Sequence, residues 1–392
     1  MQLHPPIFRA CELAIDRIVH QGEPASIVVE KSLKSNKKWG ARDRRHFAEV
    51  VYEVVRWWRR LEALSDHSKG LKEDRLISIR NAIDTYTIFK LHPEKFEKQI
   101  ERMDFVEKES IPDWLNDLGR REVGENWPQL LSSLNLKAKQ FLRVNTLKTQ
   151  PQKVVTELNS LGIETDSVLG LPEALVLRER KNVFITDAYK NGFFEMQDGG
   201  SQMIAPFLQV KPGQRVIDAC AGAGGKTLHL AALMQNQGQI VALDIHAGKL
   251  EELKKRARRN GVNNVETRLI ESQKVIKRLK ESADRLLLDV PCSGLGVLKR
   301  HPDSKWSLTQ DKISILLKTQ EEILQNYSEM VKPGGQMVYA TCSVLPSENQ
   351  KQVERFLEKT AEKWQLAEEL FVSPTETDFD GFYAARLVRS LS

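Results

Sequence analysis

The first third of the chain places apolar residues at helical spacing. Ile7, Cys11 and Ile18 share one helical face. The segment from Phe47 to Trp58 repeats the pattern with valines at positions three and four apart. Side chains spaced in this way line one side of a helix and pack against a core. Residues 7 to about 130 are therefore predicted to form an all-helical bundle.

The pattern changes near residue 141. Residues 141–147 are strand-like, residues 153–161 have helical periodicity, and residues 174–177 form a second short apolar run. Mixed strands and helices over so short a stretch are typical of a small α+β module. This module is predicted to span residues 131–205.

Beyond residue 210, short apolar runs alternate regularly with helical stretches. Such alternation is typical of a parallel sheet with helices on both faces, and ligands bind beyond the carboxyl ends of its strands. Residues 206–392 are therefore predicted to form a doubly wound α/β domain, and residues 1–130 a separate helical one. The predicted strands are residues 215–219, 240–245, 266–270, 285–290 and 336–341.

Composition adds a weak indication of a polyanionic partner. The chain has 392 residues and a formal net charge of +6, with 41% hydrophobic residues, which is ordinary for a globular protein of two or three domains. Arginines cluster on the predicted exposed faces of the helical bundle, where contact with RNA phosphates and a merely solvated basic face are equally good interpretations. Trp57 and Trp58 are predicted to fill core. These arginines are Arg42, Arg44, Arg45, Arg56, Arg59 and Arg60.

The cysteines and the amino terminus bear on the compartment. Cys11, Cys220, Cys292 and Cys342 are too few and too far apart for a disulfide framework or a zinc knuckle. The run Met1–Pro6 does not open a signal pattern, and no stretch approaches the roughly 18 apolar residues of a membrane-spanning helix. We expect a cytoplasmic protein with no metal site and no membrane partner.

A glycine-rich turn follows the first predicted strand of the α/β domain. Small residues there let a ligand approach the backbone, and the next helix offers unpaired N–H groups. The spacing is not that of a phosphate-binding loop, because Cys220 rather than glycine stands five residues before Gly225. A nucleoside cofactor is the expected ligand. The predicted contacts are Cys220, Ala221, Gly222, Ala223, Gly224, Gly225 and Lys226.

Two acids follow the next two predicted strands. Asp244 ends its strand at the position from which a carboxylate accepts hydrogen bonds from ribose hydroxyls. Glu271 is placed either to reach the adenine edge or to be an ordinary surface acid. Together with the glycine turn, Asp244 favours an adenosine-type cofactor.

Two cysteines follow the last two predicted strands of the parallel sheet, in the runs Asp289–Ser293 and Tyr339–Ser343. A lone cysteine at a strand end is usually packing, but two beside a cofactor turn indicate covalent chemistry on a pyrimidine. Carbon 5 of cytosine becomes nucleophilic only after a thiolate adds to carbon 6, and a free thiol with a pKa of about 8.5 needs help to ionise. A helix starting near Ser347 is expected to supply that help to Cys342.

Other residues of these runs have expected roles in the same reaction. Asp289 is expected beside the base, where it would hydrogen-bond ring nitrogen 3 or the exocyclic amine, and Cys292 is expected to act in a second step. The target base must be single-stranded or flipped out of a stack. Two alternatives remain open. A non-catalytic RNA-binding assembly factor would not need both thiols, and a methyltransferase acting on an exocyclic amine would need none.

These motifs resemble those of the RNA (cytosine-5) methyltransferases, and most of all those of the bacterial small-subunit rRNA methyltransferase B family. The resemblance covers nearly the whole chain. It implies a NusB-like helical domain, a linking RNA-binding module and a class I, Rossmann-like methyltransferase domain. The implied cofactor is S-adenosylmethionine, and the implied substrate is 16S rRNA or else tRNA. We expect the protein to be a monomer. The tracts that carry it, besides the two cysteine runs, are residues 41–45, 142–148, 300–306 and 380–384.

Carried over by position, the resemblance makes Cys342 the nucleophile and Cys292 the residue that assists release of the methylated base. It places cofactor contacts on residues 220–226, Asp244, Glu271 and Asp289. Two departures stand out. The family's usual Cys-Ala-Ala-Pro-Gly-Gly-Lys lacks its proline here, and Glu271 replaces a usual aspartate, so the adenine-side contact must differ.

Overall fold

The structure is a computed structural model that describes residues 4–65 and 75–391. The first three residues of the amino-terminal run considered above lie outside the described residues. In the described part, no helix is both long and apolar enough to cross a membrane. The helices are α1 Pro5–Val19, α2 Ala25–Ser35, α3 Ala41–Arg56, α4 Trp58–Leu64, α5 Arg75–Leu91, α6 Glu97–Arg102, α7 Phe105–Lys108, α8 Asp113–Val123, α9 Trp127–Leu134, α10 Pro151–Ser160, α11 Asp187–Lys190, α12 Gly199–Phe207, α13 Gly225–Leu233, α14 Ala247–Asn260, α15 Gln273–Lys277, α16 Ser304–Ser307, α17 Gln310–Tyr327 and α18 Gln350–Thr360.

The strands form two sheets. The smaller has the order β2-β3-β1-β4, and the larger has the order β10-β11-β9-β8-β5-β6-β7. The strands are β1 Phe141–Val144, β2 Thr165–Val168, β3 Leu171–Leu177, β4 Phe194–Met196, β5 Arg215–Asp218, β6 Gln239–Asp244, β7 Val265–Leu269, β8 Ala283–Asp289, β9 Val331–Thr341, β10 Trp364–Val372 and β11 Phe382–Arg389.

The chain divides into two compact units. One comprises Met1–Lys137 and Val297–Gln310, and the other comprises Ala138–Gly296 and Asp311–Ser392. The segment 297–310 thus belongs by its packing to the helical unit, although the prediction assigned it to the α/β domain. The predicted boundaries at residues 130 and 205 remain predictions.

The helical unit is built as the apolar spacing predicted. Buried faces of α1 to α5 meet in one core that contains Ile7, Cys11, Phe47 and Trp58, with Trp57 packed partly buried against it. Burial raises the pKa of the Cys11 thiol to about 12, so this cysteine is a packing residue. The described helices of this region therefore confirm the helical prediction.

The arginines of this unit correct the predicted exposed basic face. Arg56 is buried, and its guanidinium donates to the carbonyls of Leu298, at 3.3 Å, and Lys299, at 2.9 Å. A buried guanidinium needs such partners, since an unpaired charge in the interior is costly. Arg44, Arg59 and Arg60 are half-buried and donate to backbone carbonyls, while Arg42 and Arg45 are exposed.

The larger sheet combines a parallel core with an antiparallel edge. Strands β5 to β9 are parallel and lie close to the predicted ranges, as their uninterrupted apolar runs indicated. The predicted parallel strands are therefore confirmed, while β10 and β11, which were not predicted, extend the sheet from β9 in antiparallel fashion and make it mixed. The parallel part brings the carboxyl ends of five strands to one edge of the sheet.

The small α+β module packs on the helices that flank the glycine turn. Arg143 of β1 is buried and donates to the carbonyl of Gly225 at 2.7 Å. Glu195 of β4 accepts from Arg256 at 2.9 Å and from Arg259. The module thus contacts the first residue of α13 through Arg143, and α14 through Glu195.

Candidate active site

The glycine-rich turn links β5 to α13. Gly222 and Gly224 adopt φ values of 54° and 86°, in the left-handed region that favours glycine. A Cβ on Gly224 would approach Leu253 Cγ to 2.5 Å, so this glycine is required for helix packing. Gly222 has open space at its Cβ position, and this leaves its backbone accessible to a ligand.

A cavity of about 630 Å³ lies beside this turn, which is within the usual size range for small-molecule sites. The structure brings most of the predicted cofactor residues to its wall. Gly224 and Glu271 are not in that wall. The predicted residues that line the cavity are Cys220, Ala221, Gly222, Ala223, Gly225, Lys226, Asp244 and Asp289.

Asp244 stabilises the turn as well as facing the cavity. Its Oδ2 accepts from the Gly222 N–H and its Oδ1 from the His246 N–H, both at 2.8 Å. A carboxylate oxygen has a second lone pair, so these bonds leave acceptor capacity for ribose hydroxyls. The carboxylate thus links the end of β6 to the glycine turn at the expected ribose position.

Asp218, at the end of β5, is a cavity residue that the sequence analysis did not select. Its Oδ2 accepts from Thr227 Oγ1 at 2.7 Å, while its buried Oδ1 has no hydrogen-bond partner among the described residues. Burial raises the pKa of this carboxyl to about 7. This carboxyl group therefore links the end of β5 to α13 beside the cavity.

Helix α17 provides another wall that the sequence analysis missed. These residues belong to no recognisable sequence motif, and they reach the cavity because α17 packs beside it. Tyr327 is half-buried there, and burial raises the pKa of its phenol to about 12, so it stays a neutral hydrogen-bonding group. The α17 residues at the wall are Thr319, Glu322, Ile323, Asn326 and Tyr327.

The structure places Glu271 outside the cavity wall. Its side chain is exposed, and the preceding residue, Ile270, lines the cavity instead. Successive residues at a strand end point in opposite directions, so only one of the two can face the ligand. An apolar side chain at this position suits the face of an adenine ring better than its polar edge.

These placements give a test of cofactor binding. Asp244→Asn is expected to weaken S-adenosylmethionine binding by about 10- to 100-fold, because charge-assisted hydrogen bonds contribute about 1.5–3 kcal/mol. Glu271→Gln is expected to leave the affinity within about twofold. Titration calorimetry measures both, and a large loss with Glu271→Gln would restore the predicted adenine-edge contact.

Lys226 and Asp289 form an ion pair at the mouth of the same cavity. Lys226 Nζ donates to Asp289 Oδ2 at 2.6 Å. Burial lowers the pKa of Lys226, but Asp289 and the nearby Cys342 thiolate outweigh it and the pKa is raised. A fixed cation therefore lies within electrostatic range of the Cys342 sulfur.

The two predicted thiols meet beyond the ends of β8 and β9. Cys292 Sγ and Cys342 Sγ are 3.3 Å apart, and both side chains are partly exposed. The Gly296 N–H donates to the Cys342 carbonyl at 2.9 Å, and a Cβ on Gly296 would approach that carbonyl oxygen to 2.8 Å. Close backbone packing at this glycine is what brings the two loops together.

The environments of the two thiols differ. The pKa of Cys292 is raised well above its usual range by its hydrogen bond with Cys342, by burial and by the negative charge of Glu348. The pKa of Cys220, in the glycine turn, is also raised by burial. Neither of these sulfurs is suited to act as a thiolate nucleophile at neutral pH.

Comparison with known proteins identifies the family. A probable ribosomal RNA small subunit methyltransferase B of Synechocystis is 36% identical over 277 residues, which are 70% of this chain and 62% of that protein. The ribosomal RNA small subunit methyltransferase B of Klebsiella pneumoniae is 32% identical over 307 residues, 75% of this chain and 71% of that protein. The chain belongs to the ribosomal RNA small subunit methyltransferase B family.

Further similarities agree with this membership. The 16S rRNA methyltransferase RsmB/F family model matches residues 205–388, and the model of the ferredoxin-like domain of RsmF/B-like methyltransferases matches residues 111–184. The crystal structure of PH0851 superposes with a TM-score of 0.82 at 25% identity and covers 99% of both chains. The α/β unit thus has the Rossmann-like fold of S-adenosylmethionine-dependent methyltransferases. Aligned residues span only about 62% of the length of the Synechocystis relative.

Among the described residues, no group of three or more histidine, cysteine or acidic side chains is placed to hold a metal ion.

Proposed function

We propose that this protein methylates carbon 5 of a cytosine in RNA, with S-adenosylmethionine as the methyl donor and a covalent cysteine adduct at carbon 6. The proposed substrate is 16S rRNA, and tRNA is the alternative. The observation that carries the proposal is the pair of sulfurs 3.3 Å apart at the edge of the sheet that also holds the cofactor-sized cavity. Methylation of an exocyclic amine needs neither thiol, and a non-catalytic RNA-binding factor gains nothing from two.

Cys342 is the proposed nucleophile because of its neighbours. Lys226 supplies a positive charge that favours a thiolate at Cys342, and the Cys292 S–H can donate a hydrogen bond to that sulfur. The Cys342 sulfur adds to carbon 6, and the ring double bond becomes electron density at carbon 5. Asp289, held by Lys226, accepts a hydrogen bond from the exocyclic amine and so orients the base.

The second half of the reaction reverses the first. When bound, S-adenosylmethionine supplies an electrophilic methyl group to carbon 5. Cys292 then donates its S–H proton to the departing Cys342 sulfur and takes up the proton lost from carbon 5, so that the C–S bond breaks and the ring double bond is restored. We assign assistance in this step to Cys292, whose sulfur lies next to the one that leaves. The resemblance to the cytosine-5 methyltransferases supports the same division of roles.

The cofactor assignment follows from the fit of the cavity residues. Asp244 is proposed to accept from the ribose hydroxyls, and Ile270 to make an apolar contact with adenine, since both residues line the cavity. The glycine turn presents backbone N–H groups at the start of α13. Family membership supports the same cofactor.

The remaining parts of the chain are proposed to bind the RNA. We take the helical unit as NusB-like, with the exposed Arg42 and Arg45 as its phosphate contacts, and the α+β module as the linking RNA-binding element of a monomeric enzyme. Phosphate contacts fix the register of an RNA without reading its sequence, so they position the target cytosine for the two thiols. The target must be unstacked to reach them.

The proposal is tested with purified protein, methyl-labelled S-adenosylmethionine and protein-free 16S rRNA or tRNA. We expect label in 16S rRNA, and bisulfite sequencing is expected to locate it at carbon 5 of a single cytosine. Transfer of label to an exocyclic amine, or to tRNA alone, would contradict the proposed position or substrate. Binding of rRNA without any transfer would favour the assembly-factor alternative.

A further inference from the structure

A buried acid connects the two cysteine loops. Glu348 lies two residues before α18 and is fully buried. Its carboxyl group accepts from the Ser293 N–H at 2.8 Å, from Ser293 Oγ at 2.5 Å and from Ser343 Oγ. Gln320 Nε2 donates to it as well, at 3.0 Å. A carboxylate with this many donors is satisfied in the interior, where an unpaired one would be strongly destabilising.

The serines that bind Glu348 are the residues next to the two thiols. Ser293 directly follows Cys292 and Ser343 directly follows Cys342, and their hydroxyl oxygens are 3.2 Å apart. One carboxyl group therefore joins the loop after β8 to the loop after β9 at the residues adjoining both sulfurs. The hydrogen bonds of this buried carboxyl group therefore restrain the distance between the two sulfurs.

The turn that carries Glu348 is itself fixed by neighbouring side chains. Tyr339 donates its hydroxyl proton to the Glu348 carbonyl at 2.6 Å. Asn349 accepts from Thr341 Oγ1 at 2.5 Å and donates to the Ser343 carbonyl at 3.1 Å. These hydrogen bonds tie the turn to the end of β9 and to Ser343, and they therefore fix the position from which the Glu348 side chain extends.

The charge of Glu348 acts unequally on the two thiols. It is one of the causes that raise the pKa of Cys292, after the hydrogen bond with Cys342, burial and the charge of Cys342. On the other side of the pair, Cys342 is one of the groups that raise the pKa of Lys226. The two sulfurs thus lie between an anion near Cys292 and a cation near Cys342.

We propose that Glu348 is a positioning residue of the active site, which through Ser293 and Ser343 holds the two cysteine loops together. Its negative charge also disfavours ionisation of Cys292 beside the Cys342 nucleophile. This role rests on the proposed function only in naming Cys342 the nucleophile. The contacts themselves, and the unequal reactivity of the thiols that they imply, do not depend on the substrate.

Three variants separate the effects. Glu348→Gln keeps an acceptor for Ser293 and removes the charge. Glu348→Ala removes charge and contacts together. Glu358→Gln changes an exposed glutamate of the following helix, α18, and is the control. Iodoacetamide labelling of the full chain as a function of pH, read by mass spectrometry at each cysteine, reports thiol ionisation without any RNA.

In the unmodified protein, Cys342 is expected to react at lower pH than Cys292. Glu348→Gln is expected to move the reaction of Cys292 to lower pH, since the charge of Glu348 is one of the causes that raise the pKa of this thiol. Glu358→Gln is expected to leave both profiles unchanged. A Cys292 profile that does not move in Glu348→Gln would overturn the electrostatic half of the proposal.

Turnover tests the positioning half. Glu348→Ala is expected to lower kcat at least about 10-fold while the Kd of S-adenosylmethionine and the KM for RNA stay within about twofold, because the carboxyl group lies outside the cofactor cavity. Glu348→Gln is expected to recover most of kcat. Equal kcat in Glu348→Ala and the unmodified protein would overturn this half, and loss of cofactor binding would assign Glu348 to folding alone. If the unmodified protein does not methylate cytosine, the proposed function fails while the labelling profiles still decide the role of Glu348.

Discussion

Replacing Cys342 by alanine is expected to abolish RNA methylation, with a loss in kcat of at least about 10⁴-fold. Removing a nucleophile that carries a covalent intermediate costs several orders of magnitude in enzymes of this kind. Without sulfur at this position, carbon 5 stays a poor nucleophile. Cys292 is not expected to take its place, because burial and the charge of Glu348 raise its pKa even when the Cys342 sulfur is absent.

The measurement is transfer of labelled methyl groups to 16S rRNA under single-turnover conditions. The matched control is Cys11→Ala, which removes a thiol from the core of the helical unit. The Kd of S-adenosylmethionine is measured in parallel and is expected to change little, since Cys342 does not belong to the cavity wall. Cytosine methylation by Cys342→Ala at a normal rate would exclude a covalent adduct at this sulfur.

The meeting of the two thiols could be predicted because parallel strands impose it. Runs ending at Asp289 and Thr341 are apolar enough to be buried strands, and the carboxyl ends of parallel strands share one edge of the sheet. The same reasoning correctly placed Asp244 and most of the glycine turn. What it could not provide is the distance between the sulfurs, which depends on Gly296 and Glu348.

The antiparallel edge escaped prediction for a physical reason. Strand β10 is mostly exposed, and its polar residues show neither strict alternation nor an apolar run. It is a strand because β11 pairs with it over its whole length, in the register Trp364 to Arg389 through Val372 to Phe382. Strand pairing of this kind depends on tertiary context, and the local periodicity of the sequence does not predict it.

The burial of charged side chains could not be predicted from the sequence either. Arg56 and Lys305 both carry charged groups, which are usually exposed. In the structure Lys305 is buried and donates to the Arg56 carbonyl at 2.8 Å and to Asn135 Oδ1 at 3.0 Å. Burial lowers the pKa of Lys305 well below its usual range. The segment 297–310 belongs to the helical unit through such contacts, and no composition change marks them.

Replacing Cys292 by alanine is expected to trap the protein on its RNA. Addition of Cys342 to carbon 6 and methylation of carbon 5 need no sulfur at position 292, so one methyl group per protein should still be transferred. Release requires loss of the carbon 5 proton and departure of the Cys342 thiolate. With the neighbouring sulfur removed, this step is expected to slow by about 10²- to 10⁴-fold, the usual contribution of a positioned proton-transfer group.

The trapped species should appear on a denaturing gel as a protein–RNA adduct that carries both the chain and the methyl label. It should be absent from the double variant Cys292→Ala/Cys342→Ala, because the bond to carbon 6 would then have no sulfur. A burst of about one methyl group per protein, followed by almost no turnover, should accompany it. Continued turnover by Cys292→Ala with no adduct would remove this thiol from the mechanism. The 3.3 Å contact between the sulfurs would then be a packing contact, and Glu348 would position only the Cys342 sulfur for the reaction.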